Sequence, residues 1–130
     1  MTATKLLLVE DDPIMLSLLH KLLTFEGYEI IPMDRFLDLD EILTCIHEEK
    51  PALILLDVHL ERFDGFDILK QLRSFNEGKS IRVLMSSGMD LSERSKAEGA
   101  DGFILKPYMP DDLIKTIQNT LDANHPTDRE

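Results

Sequence analysis

The chain has 130 residues, 43% of them hydrophobic, one cysteine and a formal net charge of -11. That length makes one domain with a core of its own, and a single thiol excludes an internal disulfide. The acid excess argues against direct grip on a nucleic-acid backbone and favours cations and protein partners. With no N-terminal apolar stretch of signal-peptide or membrane-span character, no membrane contact and a cytoplasmic location are expected.

Lys5-Leu6-Leu7-Leu8-Val9 reads as a strand buried on both faces, ending in Glu10-Asp11-Asp12. Asp12-Pro13 then opens a helix, with aspartate at the N-cap and proline at the first helical position. Ile14, Leu18, Leu22 and Phe25 recur at helical intervals and are predicted to be the face that this helix turns to the sheet. Gly27 stops it. Tyr28-Glu29-Ile30-Ile31 is a second, less apolar strand, expected at an edge. Leu39, Ile42, Leu43 and Ile46 mark a second helix, begun near Asp38 or Asp40 and stopped by Lys50-Pro51. Behind Pro51 comes the run Leu53-Ile54-Leu55-Leu56, a third strand, which ends abruptly at Asp57.

A loop from His59 to Phe63 leads to Asp64-Gly65 and a third helix carrying Phe66, Leu69, Leu72 and Phe75, closed by Asn76-Glu77-Gly78. Ile81 to Met85 is a fourth strand that runs into Ser86-Ser87-Gly88. A weakly patterned helix over 91–98 has little apolar face beyond Leu91 and Ala97. The turn from Gly99 to Gly102 enters Phe103-Ile104-Leu105, a fifth strand ending at Lys106-Pro107. Leu113, Ile114, Ile117 and Leu121 make a last amphipathic helix, and 123–130 is polar and unpatterned, a tail or the start of a linker.

Five strands alternating with five helices imply right-handed crossovers. The expected fold is therefore α/β: a single flavodoxin-like (βα)5 domain over 4–122, with a parallel sheet in order 2-1-3-4-5 and helices on both faces. In such sheets ligands sit at the carboxyl ends of the strands. There this chain delivers Glu10, Asp11, Asp57, Ser87 and Lys106.

Three carboxylates at one edge repel one another unless a cation lies between them. Mg²⁺ suits oxygen ligands, keeps several waters and leaves room for phosphate, and Mn²⁺ can substitute. An aspartate beside such a cation can attack phosphorus, with a hydroxyl and an ammonium helping to neutralise the transferring oxygens. Ser87 suits the hydroxyl role better than Ser86 because Gly88 follows it and opens the backbone to a phosphoryl group.

The runs Leu8-Val9-Glu10-Asp11-Asp12, Leu55-Leu56-Asp57, Asp64-Gly65 and Met85-Ser86-Ser87-Gly88, with Gly99 to Pro107, resemble the receiver domains of two-component response regulators. The resemblance implies that Asp57 is the phosphoacceptor, loaded from the phosphohistidine of a sensor histidine kinase or a histidine phosphotransfer protein. Asp11 would ligate Mg²⁺ directly and Glu10 through water, beside Asp57 and the backbone carbonyl of His59. Ser87 and Lys106 would bind the phosphoryl oxygens, with Ser87 and Phe103 as the switch pair and a cis bond before Pro107. Output would pass to a downstream domain or protein through the face made by the fourth helix, fifth strand and fifth helix, beside Tyr108-Met109, where a phosphorylation-dependent homodimer is a further option. Such a domain is a switch that catalyses only its own phosphorylation and dephosphorylation, without contacting nucleic acid.

Two positions depart from the common family pattern, Glu61 in place of a frequent proline and Phe103 in place of a frequent tyrosine. His59 reads as a solvent-facing loop residue, and Met89, apolar and two residues after Ser87, is expected to slow hydrolysis of the acyl phosphate. His20, His47 and His125 share no ligand spacing, and Cys45 reads as packing. An aspartyl-nucleophile phosphatase is the enzymatic alternative, disfavoured because the central aspartate follows the third strand and not the first. A receiver that binds partners without phosphorylation is the other. No glycine-rich phosphate loop supports a nucleotide or flavin module.

Overall fold

The computed structural model describes residues 3–33, 35 and 38–123. The apolar runs pair into one parallel sheet of β1 (Lys5–Val9), β2 (Glu29–Met33), β3 (Leu53–Asp57), β4 (Arg82–Ser87) and β5 (Gly102–Leu105), in order β2-β1-β3-β4-β5. The continuous apolar character of β1 and β3 has its cause here. Successive side chains point to opposite faces, and both faces are covered. Leu7, Val9, Ile54, Leu56, Val83 and Met85 meet α2 (Leu39–Glu49) and α3 (Gly65–Arg73) on one side. Leu6, Leu8, Leu53, Leu55, Leu84 and Ile104 meet α1 (Pro13–Phe25) and α6 (Pro110–Asp122) on the other. β2 is an edge strand, as its weaker apolar character predicts.

Register decides what shares the upper edge. Val9 lies opposite Leu56, Asp57 opposite Ser86 and Ser87 opposite Leu105. Glu10, Asp57, Ser87 and Lys106 therefore leave the sheet within about one residue of the same level.

The structure corrects several of the sequence expectations. The face that α1 turns to the sheet is Leu16, Leu19 and Leu23, whereas Ile14, Leu18 and Phe25 face outward and Leu22 is half-buried. Two apolar stripes share this helix, and periodicity alone does not say which one meets the sheet. The third helix ends at Arg73, and Asn76-Glu77-Gly78 does not close it but belongs to a separate turn, α4 (Asn76–Lys79), which makes six helices among the described residues. β4 continues through Ser86 and Ser87. In α5 (Ser92–Ala97), Ala97 is exposed and the buried residue is Ser95, whose hydroxyl has no hydrogen-bond partner among the described residues.

The extra turn is held by a residue that periodicity does not flag. Arg73 donates from Nη1 to the carbonyls of Gly78 and Ile81 at 2.5 and 2.8 Å, and from Nε to that of Gly99 at 3.0 Å. Its Nη2 lies 2.9 Å from Asp101 Oδ2, which also accepts the Val83 N–H. Burial pulls the Arg73 guanidinium below its ordinary range, and the Asp101 carboxylate opposes that shift. One guanidinium thus fastens α3, α4 and the turn before β5 beneath the sheet.

Candidate functional site

Asp57 ends β3 and Glu10 follows β1, and both are pulled below the surface, at 8% and 6% exposure. Asp11 is half-buried beside them, and oxygens of the three carboxylates all lie within 4.8 Å of one another. Such crowding requires compensation. Lys106, delivered by the end of β5, supplies part of it. Its Nζ donates to Glu10 Oε1 at 2.9 Å and stands 3.4 Å from Asp57 Oδ2.

Both partners are shifted upward, which disfavours the charged form of Glu10 and favours that of Lys106. Burial raises the Glu10 carboxyl above its usual range and the Asp57 charge adds to this, while the hydrogen bond and charge of Lys106 pull it back without cancelling it. Burial alone would lower the Lys106 ammonium. Its hydrogen bond to Glu10 and the charges of Asp57 and Glu10 outweigh that and hold it above the ordinary lysine range.

Local chemistry explains why these residues sit where they do. Asp12 caps α1, accepting from the N–H groups of Ile14 and Met15 at 3.0 and 3.3 Å, so the acids after β1 are anchored by a helix start. Asp64 caps α3 through the Phe66 N–H at 2.8 Å. A Cβ on Gly65 would stand 2.5 Å from the carbonyl oxygen of Asp57. Only glycine lets α3 start against the end of β3, which gives the Asp64-Gly65 pair a physical reason.

Asp11 also accepts a hydrogen bond from the backbone N–H of Glu61, joining the β1 end to the loop after β3. Sequence reasoning missed this contact, because a main-chain donor carries no side-chain signature. His59 lies in that loop with its ring exposed, its backbone bridged to Asp64.

Ser87 is 1% exposed. Its hydroxyl accepts the Met89 N–H at 3.0 Å, and its carbonyl accepts the Lys106 N–H at 2.8 Å, so backbone joins the serine to the lysine. The Lys106-Pro107 bond is cis, as the resemblance implies. Phe103 is half-buried on β5 against the core that contains Met85 and Phe66. Tyr108 packs into the opposite core with α6, and burial drives its hydroxyl up to about 12. Of the Tyr108-Met109 pair, Met109 is exposed and Tyr108 is half-buried under the last helix.

Glu10, Asp11, Asp57 and Lys106 come together, with Ser87 beside them in the chain trace and Phe103 and His59 further out. Elsewhere, His47 pairs with Glu77 at 3.1 Å, His20 is exposed, and His125 lies outside the described residues, as does the tail beyond Ala123. Cys45 is half-buried against the α2 core; burial raises its thiol, with Glu49 and Glu48 adding to the shift. Among the described residues no helix is long and apolar enough to cross a membrane.

Known proteins agree with this geometry. Residues 6–118 match the family model described as "Response regulator receiver domain". Response regulator MprA of Mycolicibacterium vanbaalenii is 31% identical over 126 residues, covering 95% of this chain and 53% of that protein. The chain spans about half the length of the curated relatives it matches first. Chemotaxis response regulator CheY4 of Vibrio cholerae superposes with a TM-score of 0.81 at 29% identity, over 92% of this chain and 99% of that one. The receiver domain of sensor histidine kinase PA1611 from Pseudomonas aeruginosa, solved with a magnesium ion coordinated in its active-site cleft, shares the fold. Its TM-score is 0.80 at 18% identity, over 94% of this chain and all of that one. With the sheet order, the acidic cluster and the family match in agreement, this chain belongs to the response regulator receiver domains of two-component signalling systems.

Proposed function

We propose that Asp57 is the phosphoacceptor of this receiver and that the protein passes a signal by being phosphorylated there. The observation that carries the reading is the gathering of Glu10, Asp11 and Asp57 within 4.8 Å, with Lys106 on two of them. The unit concerned is residues 4–122, with 123–130 a tail or linker.

The donor set fits a hard divalent cation: carboxylate oxygens, one of them half-exposed, with a net negative charge that a single lysine does not cancel. Asp11, Asp57 and the His59 carbonyl would hold Mg²⁺ or Mn²⁺, with Glu10 contributing through water. When bound, the cation supplies charge neutralisation for the phosphoryl oxygens.

The Asp57 carboxylate attacks the phosphorus of a phosphohistidine presented by a sensor kinase or a histidine phosphotransfer protein. The phosphorus–nitrogen bond breaks, an aspartyl phosphate forms, and the imidazole leaves with the electron pair. Lys106 already stands 3.4 Å from Asp57 and turns from Glu10 to the incoming phosphoryl oxygens. Ser87 gives up the Met89 N–H and donates its hydroxyl to the phosphoryl group. Phe103, half-buried behind it, follows inward and changes the surface made by α5, β5 and α6, where the exposed Leu105 and Met109 meet the output partner. The activity is confined to the domain's own phosphoryl gain and loss, and loss is slow because Met89 does not orient water.

Intact mass after incubation with a small-molecule phosphodonor tests this. A single phosphoryl adduct is expected, dependent on Mg²⁺ and absent in Asp57→Asn. A folded protein that takes up no phosphoryl group would leave a receiver that binds its partners without phosphorylation.

A further inference from the structure

The loop between β3 and α3 is a narrow hairpin tied at several levels. At its base Val58 accepts the Gly65 N–H at 2.8 Å, and His59 bridges to Asp64 in antiparallel fashion. Leu60 turns into the core. At the far end Glu61 donates its main-chain N–H to Asp11 Oδ2. That bond crosses from the loop after β3 to the loop after β1, between residues 50 positions apart. Glu61 is exposed, and the contact is made by its backbone.

Both ends of the bond belong to groups that would face a cation. Asp11 is one of three carboxylates with oxygens within 4.8 Å of one another, and the His59 carbonyl lies two positions before Glu61 on the same loop. With the Glu61 bond made, Asp11 still belongs to that cluster. The N–H thus orients the carboxylate toward its neighbours and does not draw it away. An ionised carboxylate has about four lone-pair sites on its two oxygens, so a hydrogen bond at one leaves the others for a cation. Loss of an outer group that fixes a ligand's orientation typically changes metal affinity by about 10–100-fold.

We propose that Glu61 is a positioning residue of the cation site, and that it acts through its main-chain N–H. The bond sets Asp11 against Asp57 and the His59 carbonyl before Mg²⁺ arrives. This rests on the reading of Glu10, Asp11 and Asp57 as that site. Asp11 stands on a loop beside two carboxylates that repel it. The Glu61 N–H holds it there, so part of the cost of gathering the charges is met before the cation binds. The side chain at 61 has no part in this. Alanine or glutamine serves as well, and proline, which has no N–H, does not.

Amide NMR of the isotope-labelled whole chain, titrated with MgCl₂, tests the proposal. The Glu61 amide is expected to exchange with solvent more slowly in the metal-free parent than in Asp11→Ala. It slows further as Mg²⁺ binds, because cation and N–H hold different lone pairs of one carboxylate. Glu61→Pro weakens Mg²⁺ binding by about tenfold or more. Glu61→Gln and Glu61→Ala lose an exposed, screened charge but keep the N–H, and weaken it by no more than about threefold. Unchanged exchange of the Leu8 and Leu55 amides in the sheet shows that each variant is folded. The exchange measurements on the parent and Asp11→Ala decide the question even where Glu61→Pro does not fold. Three results overturn the proposal and leave the site reading intact: Mg²⁺ that speeds Glu61 exchange, which makes cation and N–H competitors; equal Mg²⁺ affinity in Glu61→Pro and the parent; or a loss in Glu61→Gln as large as in Glu61→Pro, which places the effect in the side chain. A parent chain that binds no Mg²⁺ overturns the reading of the site and the proposal with it.

Discussion

α1 and α6 invite comparison. Each has thirteen residues, each begins with proline, and both lie on the same face of the sheet. α6 buries Leu113, Ile117 and Thr120, keeps Ile114 and Leu121 half-buried, and is otherwise polar. α1 buries three leucines and leaves three more large apolar side chains in water. Packing on the sheet explains the whole apolar content of α6 but only five of the eight large apolar side chains of α1, for Met15 and Leu22 are half-buried with the three leucines. A helix made only to cover a sheet has no physical use for Ile14, Leu18 and Phe25, so those residues answer to something outside the domain.

The largest expected effect separates the two sides of α1. Leu23→Ala, at a side chain with no exposure, costs about 3 kcal/mol of unfolding free energy through lost burial and a cavity. Ile117→Ala costs a similar amount on α6, since its side chain is equally enclosed. Leu18→Ala stays within about 0.5 kcal/mol in urea titrations of dilute protein. Equal losses for Leu18 and Leu23 would erase the distinction between the two stripes.

A smaller effect is stronger on the α6 side. Burial holds the Tyr108 hydroxyl up to about 12, while an unfolded tyrosine ionises near 10. The folded state then binds the proton that the unfolded state releases, so stability falls as pH rises through this window. Tyr108→Phe is expected to flatten that alkaline loss in denaturation curves measured at a series of pH values. Tyr28, at the end of α1, is also raised, by burial with Glu26 and Asp122 adding, and the same substitution there has the weaker effect.

The same contrast shows what the sequence reveals and what it conceals. The upper edge was legible because parallel strands buried on both faces must be apolar throughout, so Glu10, Asp57 and Lys106 stand out where those runs stop. Asp64-Gly65 was legible for a similar reason, a cap and a close approach in adjacent residues. The orientation of α1 was not, because two stripes of equal period compete and only the sheet decides between them. Arg73 was also invisible. Its partners are carbonyls of Gly78, Ile81 and Gly99, which any residue could supply, and Asp101, 28 positions away. The Glu61 N–H on Asp11 escaped for the same cause.

The finest contrast lies in the first turns of the two helices. Asp12 satisfies two N–H groups at the start of α1, whereas Met109, in the same place before α6, offers no side-chain acceptor. Asp12→Ala is expected to lower stability by about 1 kcal/mol, measured without divalent metal so that cation binding does not contribute. Met109→Ser should raise it by less, a few tenths of a kcal/mol. The asymmetry has a cause on α6 itself. Asp111 and Asp112 already sit in its first turn, where carboxylates favour the positive end of the helix dipole, and Pro110 has no N–H to satisfy. A gain from Met109→Ser as large as the loss from Asp12→Ala would mean that those two acids do nothing for the helix, and that their place is set instead by what approaches the end of β5.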